Sequence, residues 1–386
     1  MPKRGSLLFS PYQLRGVSFR NRIVLSPMQM YLAGDDGIAT EWHFQHLAKY
    51  AVAGAGCVFT EVLPPEPRGR NTHWDLGIWD DAQVPALSRI AAFIEKTGAV
   101  PAAQTGHAGT KAARQRPFDG LQPLGDDDTA RGEPPWQPVG PMSEANVEGY
   151  HPPHALSPSE IHQLVDDFGK GARRLAESGF RFLEVHAAHG YLIHSFYSPI
   201  SNRRTDAYGG DRPGRMRFAL EVAESVRANW PDEFPLSFRI SSIDAVDGGW
   251  DLDDSLILVR ELKSRGVDIV DCSSRGVGAA NSMARLEKEG KSLEEGYQVP
   301  YSEYLRREAP IPTIAVGLIT RAEFAEKVLQ DGRADLIALG RELLYNPHWV
   351  LHAANALEQE TKWNDWPPSW NWWLERREKL GIKRAE

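Results

Sequence analysis

Cysteine is scarce in this sequence. Its 386 residues include two cysteines, Cys57 and Cys272, and both stand in apolar runs typical of strands. Two isolated cysteines cannot build a disulfide framework, an iron–sulfur cluster or a cysteine-rich zinc site. We therefore expect two buried structural thiols, which suit a reducing compartment.

Long apolar runs are missing as well. No stretch reaches the roughly 18 apolar residues of a transmembrane helix, and the N-terminus lacks the apolar core of a signal peptide. The net charge of −8 disfavours nucleic acid and anionic membranes as partners, because both bind basic surfaces. We expect a cytoplasmic protein that acts on a small molecule.

The sequence does contain short apolar runs at regular intervals. They lack polar alternation, as strands buried on both faces do. The predicted strands cover residues 22–27, 57–62, 100–105, 182–186, 236–240, 269–272, 313–316 and 336–339.

Amphipathic stretches separate many of these strands. The predicted helices cover residues 158–178, 212–229, 253–265, 302–308, 321–330 and 342–357. Repeated strand–helix alternation predicts an α/β fold, a parallel (β/α)8 TIM barrel in one domain spanning residues 1–386. A doubly wound sheet is the alternative, but the sequence lacks the Gly-x-Gly-x-x-Gly turn that usually follows its first strand.

Two segments fall outside the alternation. Residues 116–157, inserted after the third strand, are rich in Pro, Gly and Asp and are typical of a lid, a binding loop or an interface arm. The C-terminal extension, residues 358–386, packs either on its own barrel or against another subunit, since tryptophan is enriched at interfaces. We expect a homodimer or homotetramer. The extension's clustered tryptophans are Trp363, Trp366, Trp370, Trp372 and Trp373.

Polar residues collect at the carboxyl ends of the predicted strands, where barrel active sites lie. Gly317, Gly340 and Arg341 follow the last two strands, the usual position of a barrel phosphate site. Such a site suits FMN, but it also suits a sugar phosphate.

Three further residues follow the fourth strand. His186 and His189 have a spacing unlike that of helical zinc motifs, and we expect no metal. Two histidines that donate hydrogen bonds to a carbonyl or nitro oxygen are the better interpretation. Tyr191 is a candidate proton donor, because an unperturbed phenol is protonated at neutral pH.

Four motifs resemble the Old Yellow Enzyme family, over about residues 7–348. The longest covers residues 184–192 and 198–210, and the others cover residues 19–24, 104–111 and 333–341. The histidine pair, Tyr31 and the Asp-Cys-Ser-Ser stretch at 271–274 resemble the thermophilic-like, xenobiotic-reductase-like bacterial subgroup.

The resemblance implies an FMN site built from many strand ends. Lys111 is expected along the cofactor. The implied contacts are Pro27, Met28 and Gln29 at the N5/O4 edge, Val62 near O4, Gln104 and Arg239 at the pyrimidine edge, and Gly317, Gly340 and Arg341 at the phosphate.

The resemblance also implies the activity. His186 and His189 would bind the substrate's electron-withdrawing oxygen, Tyr191 would donate a proton, and Tyr31 would line the pocket. The family implies a ping-pong oxidoreductase that takes hydride from NADPH or NADH and reduces activated C=C bonds.

The chain departs from the subgroup at Gln29, where a cysteine is usual. An oxidative enzyme on the same scaffold, a dehydrogenase, demethylase or desaturase, therefore stays open. A flavin-free lyase or isomerase and a non-catalytic interaction protein are alternatives of other classes. The subgroup further implies that Trp373 or Arg376 reaches a neighbour's active site.

Several other polar residues have structural interpretations. We expect Arg203 and Arg204 to pair with carboxylates, and His107 to be packed and hydrogen-bonded. Asp206, Tyr208 and Gly209 indicate a turn. The acidic run Asp126, Asp127 and Asp128 is expected to be a solvated loop.

Overall fold

The computed structural model describes residues 5–145, 149–274, 276–277, 293–359 and 367–381. Eight of its strands, the third to fifth and the eighth to twelfth in chain order, close into a barrel in which every neighbouring pair is parallel. The predicted barrel and its eight strands are confirmed. The strands are β1 Tyr12–Leu14, β2 Val17–Phe19, β3 Ile23–Leu25, β4 Cys57–Leu63, β5 Val100–Thr105, β6 Val139–Gly140, β7 His154–Ala155, β8 Phe182–Ala187, β9 Leu236–Ser241, β10 Ile269–Ser273, β11 Thr313–Ala315 and β12 Leu336–Leu339.

Helices lie between the barrel strands and bury one face against them. The helix after β7 begins as predicted, with Ser157 as N-cap accepting the N–H of Glu160. The helices are α1 Glu41–Val52, α2 Val84–Lys96, α3 Asp126–Ala130, α4 Pro158–Glu177, α5 Leu192–Tyr197, α6 Arg212–Ala228, α7 Leu252–Ser264, α8 Val299–Glu308, α9 Ala322–Gln330, α10 Arg341–Tyr345, α11 Trp349–Ala356 and α12 Pro368–Lys379.

Two sequence predictions are wrong in detail, and one helix was not predicted. The helix expected over 342–357 is two helices, α10 and α11, because Pro347 between them lacks an N–H donor and restricts Asn346 before it. The acidic run is the first turn of α3, and Asp128 is buried there, accepting the N–H of Gly125 at 2.8 Å. Helix α1 was missed because polar aromatics, His43 among them, occupy its buried face.

The structural interpretations of other residues are confirmed. Cys57 and Cys272 are free and buried. His107 Nε2 lies 2.9 Å from Glu66 Oε1, and Arg203 and Arg204 pair with carboxylates. Residues 206–210 form a turn. Among the described residues, no helix combines the length and the apolar character needed to cross a membrane.

An N-terminal hairpin that the sequence did not reveal closes the amino end of the barrel. Strands β1 and β2 pair antiparallel, and Phe19 on β2 is fully buried. Its ring meets Phe182 of β8 edge-on, with centroids 5.6 Å apart, and Phe59 of β4 lies 5.1 Å from Phe182 on another side. This aromatic floor packs one end of the barrel and leaves the carboxyl ends of the strands for a site.

Strand β4 carries one extra residue relative to β5. Phe59 is opposite Ala102, whereas Val62 is opposite Gln104, so the register shifts between the two pairs. Such a bulge re-aims the residues that follow it. Here it precedes the predicted cofactor contact Val62.

The inserted segment packs against the loop after β4. Trp136 Nε1 donates to the carbonyl of Arg68 at 3.2 Å, and Trp74 Nε1 donates to Glu133 Oε1 at 2.9 Å. These bonds join residues 133–136 to residues 68–74. The insertion therefore supports a loop at the carboxyl rim of the barrel.

The tryptophan-rich extension contains α12. Trp363 and Trp366 lie outside the described residues. Trp370, Trp372 and Trp373 are on α12, and Trp373 is 67% exposed. The reach of this segment to a second subunit stays a prediction.

We expect the substitution Phe182→Ala to lower the free energy of unfolding by about 3–5 kcal/mol, because it leaves a cavity among packed rings. Urea unfolding at neutral pH measures this. The matched control is Phe118→Ala, which removes a ring that is 64% exposed and should cost less than about 0.5 kcal/mol. Equal losses from both variants would contradict the proposed role of the aromatic floor.

Candidate active site

The carboxyl ends of the barrel strands surround a cavity of about 430 Å³. Ser273 and Gln298, which were not predicted as site residues, lie in the wall of this cavity. The predicted phosphate residues and part of the predicted ring contacts therefore share one space. The predicted residues in the wall are Pro27, Met28, His189, Arg239, Gly317, Gly340 and Arg341.

Six predicted residues lie outside that wall. Several of them contact other residues at the same rim of the barrel or lie opposite them on neighbouring strands. Lys111 lies at the same rim, because its Nζ donates to the carbonyl of His189 at 2.5 Å. The six are Gln29, Tyr31, Val62, Gln104, His186 and Tyr191.

At Gly317 the cavity wall consists of backbone without a side chain. Its φ of +119° strains any side chain, and a Cβ atom there would come within 2.9 Å of Gln298 Nε2. Gln298 is itself fixed, since its Nε2 donates to the carbonyl of Val316 at 3.1 Å and its Oε1 accepts from Ser274 Oγ at 2.9 Å. Gly317 therefore presents backbone without a side chain to the cavity that it lines.

Arg239 supplies a buried positive charge on β9. Its Nη1 donates to Ser26 Oγ at 3.2 Å, and its Nε lies 3.5 Å from Asp271 Oδ2. Burial raises the pKa of both Glu184 and Asp271, and the Arg239 charge opposes that rise. Gln104 Nε2 donates to Glu184 Oε1 at 2.8 Å. Within the described chain, Arg239 Nε has no hydrogen-bond partner.

Gln29 and Val62 contact each other. The backbone N–H of Val62 donates to Gln29 Oε1 at 2.8 Å. A backbone N–H can only donate, so this bond decides which end of the amide faces it. The other end, Nε2, is buried and has no partner in the part of the chain that is described. Gln29 therefore holds an unsatisfied donor at the predicted cofactor edge.

The two histidines lie side by side, with ring centroids 5.0 Å apart. His189 has a left-handed backbone with φ of +60°, held in place by Ser241 Oγ, which accepts its N–H at 2.9 Å, and by Lys111. His189 Nε2 is 2.6 Å from Ser273 Oγ, and in the tautomer in which Nε2 accepts from this hydroxyl the ring's N–H is at Nδ1.

Both imidazoles are neutral at neutral pH. Burial, assisted by the positive charge of Arg239, lowers the pKa of His186 and of His189 well below the usual range. A neutral imidazole keeps one N–H donor. The pair can therefore donate hydrogen bonds without carrying charge into the site.

Tyr191 lies against the histidine pair, 4.8 Å between its ring centroid and that of His186. Its hydroxyl donates to Asn71 Oδ1 at 2.9 Å. Burial raises the pKa of Tyr191 to about 12, so the phenol is protonated at neutral pH. Tyr31 has a left-handed backbone, and burial together with Tyr191 raises its pKa.

Sequence reasoning missed Asn71. The residue follows the second barrel strand by eight positions, in a loop with no periodicity. Its place after a strand's carboxyl end was the one available signal.

The NADH:flavin oxidoreductase / NADH oxidase family profile matches residues 7–360. The chain belongs to this family. An "NADPH dehydrogenase" of Geobacillus thermodenitrificans is 40% identical over 353 residues, 91% of this chain and 95% of the relative. The resemblance inferred from the motifs is confirmed, and a flavin-free enzyme is disfavoured.

Two solved structures share the fold. Morphinone reductase in complex with tetrahydroNAD has 27% identity and a TM-score of 0.70, with 91% of each chain covered. The Old Yellow Enzyme homologue from Zymomonas mobilis has 24% identity and a TM-score of 0.69, covering 98% of this chain and 94% of that one.

The depressed pKa of His186 makes stability depend on pH. As the pH falls through about 6.5, the unfolded chain takes up a proton that the folded chain does not. Stability is therefore present above that pH and lost below it, by up to about 2 kcal/mol between pH 7 and pH 5.

We expect His186→Asn to reduce that loss, measured by urea unfolding at both pH values. The unsubstituted chain, unfolded under the same conditions, is the reference. If the His186→Asn variant keeps the whole pH dependence of the unsubstituted chain, the imidazole is not neutral in the folded state.

Proposed function

We propose that this chain binds FMN, oxidises NADPH or NADH, and reduces activated C=C bonds such as those of α,β-unsaturated carbonyl compounds. The observation that carries the proposal is the convergence of a neutral histidine pair and a protonated tyrosine beside the cavity lined by Arg239. The relatives named NADPH dehydrogenase support the choice of hydride donor.

The residues present fit FMN. Arg239 Nε and Gln29 Nε2 are buried donors that lack a hydrogen-bond partner within the described residues, and acceptor atoms on a flavin's polar edge would satisfy them. Gly317 and Gly340 offer backbone, and Arg341 offers a guanidinium, to a phosphate in the same cavity. Gln104, Pro27, Met28 and Val62 keep their expected roles beside these groups as part of the proposal.

When bound, FMN supplies hydride transfer, which no protein side chain can perform. The buried charge of Arg239 would favour negative charge at the adjoining edge of the site. The protein's other contributions are positioning and protonation.

The substrate's oxygen would be bound by His186 and His189. Two neutral N–H donors polarise a conjugated carbonyl and make its β-carbon electrophilic, while a dry site strengthens both bonds. Tyr191, protonated and beside this pair, would transfer its proton to the α-carbon. Tyr31 would border the same space. Nicotinamide and substrate would then occupy it in turn, as ping-pong kinetics requires.

The decisive experiment is the visible spectrum of the purified protein through one catalytic cycle. We expect the absorption of oxidised flavin, its loss on adding NADPH without oxygen, and its return on adding 2-cyclohexenone. A flavin that NADPH does not bleach would favour the oxidative dehydrogenase. A colourless protein that cannot be loaded with FMN would overturn the proposal.

We expect Tyr191→Phe to slow flavin reoxidation by 2-cyclohexenone by roughly 10²- to 10⁴-fold, the usual contribution of a general acid. Flavin reduction by NADPH should be nearly unchanged, because that step needs no proton from the tyrosine. Stopped-flow absorbance separates the two half-reactions. Tyr345→Phe, which alters an exposed tyrosine at the cavity wall, is the control and should affect neither step.

A further inference from the structure

Asp75 organises a tight turn in the loop after β4. Its carboxylate accepts the backbone N–H of Asn71 at 2.7 Å and of Thr72 at 3.2 Å, the hydroxyl of Thr72 at 2.7 Å, and Asn71 Nδ2 at 3.1 Å. All three residues are at least 98% buried. The turn is therefore a rigid unit with its polar groups paired.

The carboxylate determines how the Asn71 amide is oriented. Each Asp75 oxygen accepts a backbone N–H, and Oδ2 also accepts the Asn71 side-chain amide at 3.1 Å, so the amino end of Asn71 faces Asp75. The carbonyl end, Oδ1, then points to Tyr191, whose oxygen is 2.9 Å away. Because Oδ1 can only accept, the phenol must donate to it.

The same turn is fixed from outside. The backbone N–H of Arg114, beyond β5, donates to the Asn71 carbonyl at 2.8 Å. Within the turn itself, the N–H of Trp74 donates to Thr72 Oγ1 at 3.0 Å. Trp74 is in turn bonded to Glu133 of the insertion. The position of Asn71 Oδ1 is thus set by three separate segments of the chain.

We propose that Asn71 is the positioning residue for the proton donor: its carbonyl oxygen, oriented by Asp75, fixes the place of the Tyr191 hydroxyl and the resting direction of its O–H bond. This inference rests on the proposed function. It adds to the site a residue that is remote in sequence from Tyr191 and has no chemistry of its own.

In the proposed step the hydroxyl turns from Asn71 toward the substrate and its O–H bond breaks, leaving that electron pair on the phenolate oxygen. The electron pair of the enolate, which is left on the substrate once its β-carbon has received hydride, forms the new C–H bond at the α-carbon. A proton from water restores the phenol. The restored hydroxyl again donates to Asn71 Oδ1, which returns it to its resting position.

The test is a double-variant cycle with Asn71→Leu, which keeps the side chain's size and removes the acceptor, and Tyr191→Phe. In the flavin-loaded protein, we expect Asn71→Leu to slow reoxidation by 2-cyclohexenone about tenfold, as loss of one hydrogen bond suggests. It should slow reoxidation no further when Tyr191→Phe is already present. Reduction by NADPH should change less than about twofold.

A second readout does not need the reaction. The urea midpoints of the four proteins should be non-additive, because either substitution alone breaks the same hydrogen bond. Tyr304→Phe is the matched control: it removes a tyrosine hydrogen bond, to Asp253 Oδ1 at 2.9 Å, that has no member in common with this turn, so its effect on the midpoint should add to that of Tyr191→Phe.

The possible outcomes distinguish the positioning role of Asn71 from the proposed function. Additive midpoints, or equal slowing of reoxidation by Asn71→Leu with and without the Tyr191 hydroxyl, would overturn the positioning role. An unsubstituted protein that fails to reduce the enone would overturn the proposed function instead, while the midpoints would still report on the Asn71–Tyr191 bond.

Discussion

Closure of a parallel sheet on itself is the constraint on which the rest of this structure depends. A closed barrel has no free edge, so each strand satisfies its backbone on both sides, and all eight carboxyl ends meet at one rim. Residues far apart in sequence therefore become neighbours without any local signal. Arg239 and Ser26, 213 positions apart, share a hydrogen bond for this reason.

The same closure explains why the site can hold groups that water would otherwise surround. Strand interiors place Glu184, Arg239 and Asp271 at low exposure, where charges and hydrogen bonds act strongly on one another. The positive charge is buried among carboxyl groups, and the imidazoles above it stay neutral. The resulting environment has a fixed cation, unsatisfied donors and a protonated phenol within one rim.

Much of this could be predicted from the sequence because barrel strands are short, apolar and evenly spaced. Their ends also gave most of the candidate residues, which follow a strand by a few positions, as Tyr191 and Gly317 do. The sequence did not indicate the N-terminal hairpin, because each of its two strands has three residues and the hairpin packs on the barrel through one ring, that of Phe19. The sequence did not indicate Asn71 as a site residue, because the path of its loop depends on Asp75 and on the insertion. Neither of these has a local sequence pattern that predicts its contacts.

The bulge in β4 has a consequence for how sequences of this kind can change length. Glu61, within the bulge, accepts the N–H of Met30 at 2.8 Å, and Val62, directly after it, donates to Gln29. Loss of one residue here would give an even ladder with β5 and leave the barrel closed, yet it would turn Val62's N–H away from Gln29. In a collection of aligned relatives, a gap at this point should therefore coincide with a different residue at position 29.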